Sequence, residues 1–192
     1  MADSDYDLRS VVHRDAKKEV KKSWAWYENH VRNAAAGMSA QKFLGDNQAH
    51  QRKGVVPGDL LMYFYDPKTK EKLPYYDTFP LMLPFAANDT HFTGLNLHYI
   101  PPKIRMVLLD KLMTYATDEN LTPTTKIKAS WNVLKNASSF PEVAACVKQY
   151  LFTHVKSNFI VIPPKEWEFV IWLPLEKFKK ASNESVWKDW KK

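Results

Sequence analysis

One cysteine, five glycines and no long apolar run are what this 192-residue chain is poorest in. A lone Cys146 excludes an intrachain disulfide, which suits a reducing compartment, and cannot build a thiolate zinc site. So few glycines, with no Gly-x-Gly-x-x-Gly and no Gly-Lys-Ser/Thr, leave no phosphate-cradling loop. No apolar stretch reaches the ~18–20 residues of a membrane span, so no membrane partner is expected. The opening Met-Ala-Asp-Ser-Asp-Tyr-Asp is acidic and polar, the opposite of a secretory signal, and points to synthesis and folding in the cytoplasm.

Catalytic groupings are scarce as well. The histidines (His13, His30, His50, His91, His98 and His154) are scattered. His91 and His98, seven apart, face opposite sides of a regular strand and do not suggest a shared metal. Cys146 lies among Val143, Ala144, Ala145 and Val147, an apolar setting in which cysteine packs as a small hydrophobe. A nuclease would need carboxylates near a lysine. Asp59, Asp66, Glu71, Asp77 and Asp89 lie in the β segment, and Glu71-Lys72 or Glu166 and Glu168 with Lys165 could be fitted to that scheme, but a turn explains Asp66 and Glu71, a strand bend Asp77, and solvent exposure Glu166 and Glu168. A non-enzymatic protein without metal or cofactor is the expectation.

What the chain does have is aromatic residues, 14% of the total with seven tryptophans, and basic charge. The net charge of +7 is uneven. Residues 1–53 hold 10 Lys/Arg against 7 Asp/Glu, 54–102 hold 3 against 5, and 103–192 hold 15 against 9. A mildly acidic centre between basic flanks favours an anionic partner, either nucleic acid or an acidic protein face. Lys-rich faces on the helices of a soluble protein explain the same numbers.

The densest apolar stretch, 57–109, reads as a β core. Leu60–Tyr65 is strand-like, Asp66-Pro67-Lys68-Thr69-Lys70 is a turn, and Tyr75–Pro84 is extended, with its prolines implying an edge or bulged strand. His91–Tyr99 alternates through Phe92, Leu95, Leu97 and Tyr99, and Gly94 allows a bulge or a close approach. Helical spacing marks three short helices between 101 and 156, the last with Val143, Val147, Tyr150, Leu151 and Val155. Asn158–Ile162 and Trp167–Leu173 read as returning strands. Ser182 or Asn183 caps a final helix. Ahead of the core, residues 1–9 form a polar arm, and Val12, Ala16, Val20, Trp24, Tyr27 and Val31 mark a basic helix over 10–36.

The expected fold is therefore α+β: a small antiparallel, barrel-like β core of about five strands, a helical insertion of about three helices, and terminal helices. The division is an arm and basic helix in 1–56, then an α+β domain in 57–192. That domain has its β core at 57–100 and 158–173, the insertion at 101–156 and the C-terminal helix at 174–192.

Two sets of contact residues suggest themselves. Lys68, Lys70 and Lys72 on one hairpin tip, with Tyr75 and Tyr76 beside them, could meet nucleic acid or a protein partner. Alternating lysines also simply keep a sheet edge soluble. Lys17, Lys18, Lys21, Trp24, Tyr27, Trp187 and Trp190 are candidates for docking on another subunit, with Trp and Tyr as anchors. Packing of the same stripe on the chain's own core is the plainer alternative.

Tyr-Phe-Tyr-Asp-Pro-Lys-Thr-Lys (63–70), Leu-Pro-Tyr-Tyr-Asp-Thr-Phe-Pro-Leu (73–81) and Phe-Thr-Gly-Leu-Asn-Leu-His-Tyr-Ile-Pro-Pro-Lys-Ile-Arg (92–105) together resemble proteins of T4-type contractile-tailed bacteriophages. The similarity continues weakly through Trp167-Glu168 and Val186-Trp187, and implies no catalytic residues. It implies first a virion structural component, such as a baseplate, neck or tail adaptor. Such a component would dock on other phage structural proteins in several copies of a symmetric assembly, and would pass from host cytoplasm to virion. The alternative it implies is a DNA-binding protein that protects or positions genome ends through its basic flanks.

Overall fold

Leu60-Leu61-Met62 has no polar position, and the strand it forms is buried on both faces. The computed structural model describes residues 50–102, 104–105 and 144–189. The first 49 residues, with the expected arm and basic helix, lie outside the described residues, as do 106–143. An antiparallel sheet of six strands organises what is described: β1 (Gln51–Arg52), β2 (Leu60–Met62), β4 (Leu81–Ala87), β5 (His91–Asn96), β6 (Val147–Leu151) and β7 (Phe159–Ile162). Their spatial order is β1-β7-β2-β4-β5-β6. A separate ribbon pairs β3 (Tyr76–Asp77) with β8 (Phe178–Lys179).

Register sorts the side chains. Leu60, Met62, Leu81, Leu83, Leu95, Ile160 and Ile162 share one face. It is covered by Trp167–Leu175 and by Val186 of α2 (Asn183–Asp189), while α1 (Trp167–Val170) forms the start of that cover. Leu61, Met82, Phe92, Tyr150 and Phe159 share the other face with Tyr63 and Tyr65. Tyr63 meets Phe159 edge-on at 5.0 Å and Tyr65 meets Tyr150 at 4.7 Å. Such pairs add about 0.5–1.5 kcal/mol each beyond the area they bury.

Pro84 sits inside β4 without breaking the sheet because the register shifts between Pro84 and Ala86. Gly94 lies opposite it. A Cβ at Gly94 would fall on the Leu83 carbonyl and 2.6 Å from Pro84 Cα. The missing side chain is what lets the two backbones approach.

The expected fold needs correction. The sheet is open, since β1 and β6 are its edges among the described residues, and it has six strands, not a barrel of about five. Three inserted helices are not seen among the described residues. Within the described part of the last one, Val147–Leu151 is the strand β6, which pairs with β5 from Leu95↔Val147 to His91↔Leu151, and Phe152–His154 is a 3-10 turn. The spacing misled because Val147, Leu151 and Val155 are four apart, and an even offset also keeps residues on one face of a strand. Trp167–Leu173 is not a strand. Pro164 opens a 3-10 turn that runs into α1, and the Trp167 indole donates to the Ile162 carbonyl at 2.9 Å. An apolar run buried on all sides has no period to separate helix from strand.

Candidate nucleic-acid interface

Asp77 ends β3 with its carboxylate turned into the protein. Oδ1 accepts from the Phe79 amide at 2.9 Å, an Asx-type turn. Oδ2 lies 2.7 Å from His98 Nδ1 and accepts from Asn96 Nδ2 at 3.3 Å. Asn96 donates as well to the Tyr150 hydroxyl at 2.8 Å, and its Oδ1 caps the 3-10 turn Leu97–Tyr99 through the His98 amide. The His98 carbonyl accepts from Arg105 Nη2 at 3.3 Å and from Trp187 Nε1 at 2.9 Å. Arg105 also donates to the carbonyls of Ile100 and Ile171, and pairs with Glu176 at 2.8 Å.

Burial pushes the Asp77 carboxyl upward, but the charge of His98 and the surrounding donors outweigh it and hold the group below its ordinary value. Glu176 is likewise held low against burial, by Arg105 first. A carboxylate–imidazole pair is familiar from general-base sites. Here the Asp77 and His98 side chains are 0% and 1% exposed, and the pair ties the ribbon to the sheet.

Lysines from three parts of the chain are brought together around the β3–β8 ribbon. The loop from Asp66 to Leu73 carries Lys68, Lys70 and Lys72. Lys70 pairs with Asp66 at 2.9 Å, which raises the lysine's pKa and lowers the carboxyl's. Lys68 and Lys72 are exposed. Across the ribbon, β8 sets exposed Lys179 opposite Tyr76. Lys180 follows in the left-handed region, φ 68°, and its ammonium donates to three loop carbonyls: Lys70 (2.8 Å), Glu71 (3.1 Å) and Leu73 (3.2 Å).

On the other flank, the Asp66 amide bonds the His154 carbonyl and the Lys156 amide bonds the Phe64 carbonyl, which brings exposed Lys156 alongside. Lys177 lies 5.9 Å over the Phe64 ring. Against these cations the solvent-facing carboxylates of the loop are Asp66 and Glu71. Clustered like charges repel one another in the free protein and favour a polyanion that neutralises them.

The structure separates residues that look alike in the sequence. Lys68 and Lys72 face solvent, whereas Lys70 is engaged by Asp66. Tyr75 is half-buried, its ring 5.9 Å from Tyr99 and 6.3 Å from Phe178, and belongs to the packing. Tyr76 is half-buried on the ribbon. Trp187 is engaged within its own chain, on the His98 carbonyl and 5.6 Å from the Arg105 guanidinium. Trp190, Lys17, Lys18, Lys21, Trp24 and Tyr27 lie outside the described residues.

Sequence reasoning missed Lys156, Lys179 and Lys180, whose contacts span roughly 90–110 positions. It also missed the Asp77–His98 pair. The only signal was the basic excess after residue 103.

Residues 2–192 match the family described as phage T4 terminal DNA protecting protein. No curated protein and no solved structure matches the chain. The T4-type phage origin read from 63–105 stands. The baseplate, neck or tail adaptor does not, because the matching family is described by protection of DNA ends. Docking on other phage structural proteins in a symmetric assembly has no support with it.

Proposed function

The chain belongs to the phage T4 terminal DNA protecting protein family, and from that premise we propose that it binds the ends of linear duplex DNA and shields them from exonucleases, without cutting or joining DNA itself. The observation that carries this reading is the family match over residues 2–192. The net charge of +7 supports it, since releasing counterions from phosphates is the main source of sequence-independent affinity for DNA. Protection by occlusion needs no reacting group. It needs a protein that stays on the end longer than a nuclease needs to load. The place of action in this reading is the host cytoplasm, where linear phage DNA meets host nucleases.

The test is a protection assay. Linear blunt duplex and closed circular duplex are incubated with the protein, then challenged with a double-strand exonuclease. Linear DNA surviving in proportion to bound protein is the expected result. Degradation at an unchanged rate under saturating protein overturns the reading.

A further inference from the structure

We infer that the lysine face formed by the Asp66–Leu73 loop and β8 is the surface that holds the DNA phosphates, and that its lysines have two different jobs. The inference rests on the proposed DNA-end binding and names the surface that performs it. Lys68, Lys72 and Lys179 are exposed and make no ion pair among the described residues, so their ammonium groups can be given to phosphate oxygens. Lys180 cannot serve in the same way. An ammonium has three donors, and three carbonyls of the loop take them, at 2.8, 3.1 and 3.2 Å.

Lys180 is therefore a positioning residue. It draws the carbonyls of residues 70, 71 and 73 onto one point and so orders the loop that presents Lys68 and Lys72. Its backbone, at φ 68°, is one that side-chain-bearing residues rarely adopt, and the contacts of the ammonium help to hold it there. Contacts to phosphate oxygens carry no base information, so the surface takes duplex DNA of any sequence.

The test measures affinity for a short blunt-ended duplex of arbitrary sequence across a salt titration. Replacing Lys68, Lys72 and Lys179 together by Gln removes three phosphate contacts. The slope of log K against log salt then falls by about 2.7, and affinity at physiological salt falls on the order of a hundredfold. The corresponding triple Arg variant keeps the wild-type slope. Lys180→Met lowers affinity and raises amide hydrogen exchange across residues 69–73, yet lowers affinity no further when added to the triple Gln variant.

If the folded triple Gln variant keeps slope and affinity while wild-type protein still protects ends, the face is wrong and the proposed function stands. If wild-type protein does not bind the duplex, both fall. Equal losses from Lys180→Met in both backgrounds would make Lys180 an independent contact and overturn its positioning role.

Discussion

Asp77 Oδ2 and His98 Nδ1 lie 2.7 Å apart, both side chains sealed from solvent, and this pair joins the β3–β8 ribbon to the end of β5. The lysine face is built partly on that ribbon, so its geometry depends on this buried carboxylate–imidazole hydrogen bond.

Removing the Asp77 carboxylate leaves His98 Nδ1, the Asn96 side-chain amide and the Phe79 amide buried without the acceptor they share. Each stranded donor costs about 1–3 kcal/mol, so Asp77→Ala is expected to cost about 3–5 kcal/mol of unfolding free energy, measured by urea denaturation. A loss of under ~1 kcal/mol, the range of an exposed pair, would show that the pair is not the brace described.

Acid should find the same weakness. Asp77 and Glu176 both have folded pKa values below their ordinary ones, so each stabilises the fold above its unfolded value and ceases to do so as pH falls through the folded value. Stability is expected to decline below about pH 4, with a shallower decline in Asp77→Asn. Thermal melts across that range check both, and identical pH profiles for the two proteins would count against the assignment.

Gly94 tests the sheet. Gly94→Ala drives a Cβ into the Leu83 carbonyl and Pro84 Cα, which are backbone atoms with little room to yield. A cost near the upper end of about 1–3 kcal/mol is expected. An unchanged melting temperature would mean that β4 and β5 do not approach as described.

Tyr63 predicts the opposite sign. Its ring is packed among Tyr65, Phe92, Tyr150 and Phe159, but its hydroxyl is buried without a hydrogen-bond partner among the described residues. Tyr63→Phe keeps the ring contacts and removes an unsatisfied group, so stability is expected to hold or rise by about 1 kcal/mol. A clear destabilisation would reveal a partner for the hydroxyl.

These elements also show what could be read in advance. Strands β2, β5 and β7 were legible because Leu60–Met62, His91–Asn96 and Phe159–Ile162 carry local alternation or apolar runs bounded by turn residues. Strand β6 was not, because its four-residue spacing fits two periods and only its pairing with β5 decides between them. Asp77 looked like a residue at a strand bend. Its partners His98 and Asn96 are about 20 positions away, and nothing local marks them. Half of the lysine face was visible as Lys68, Lys70 and Lys72. The other half arrives through β3–β8 pairing across roughly 100 residues.

End protection itself is tested most directly by following the loss of linear duplex to an exonuclease with and without saturating wild-type protein. Survival of the linear DNA, reduced in the Lys68, Lys72 and Lys179 to Gln variant, is the predicted result. Digestion of linear DNA at the protein-free rate would contradict it.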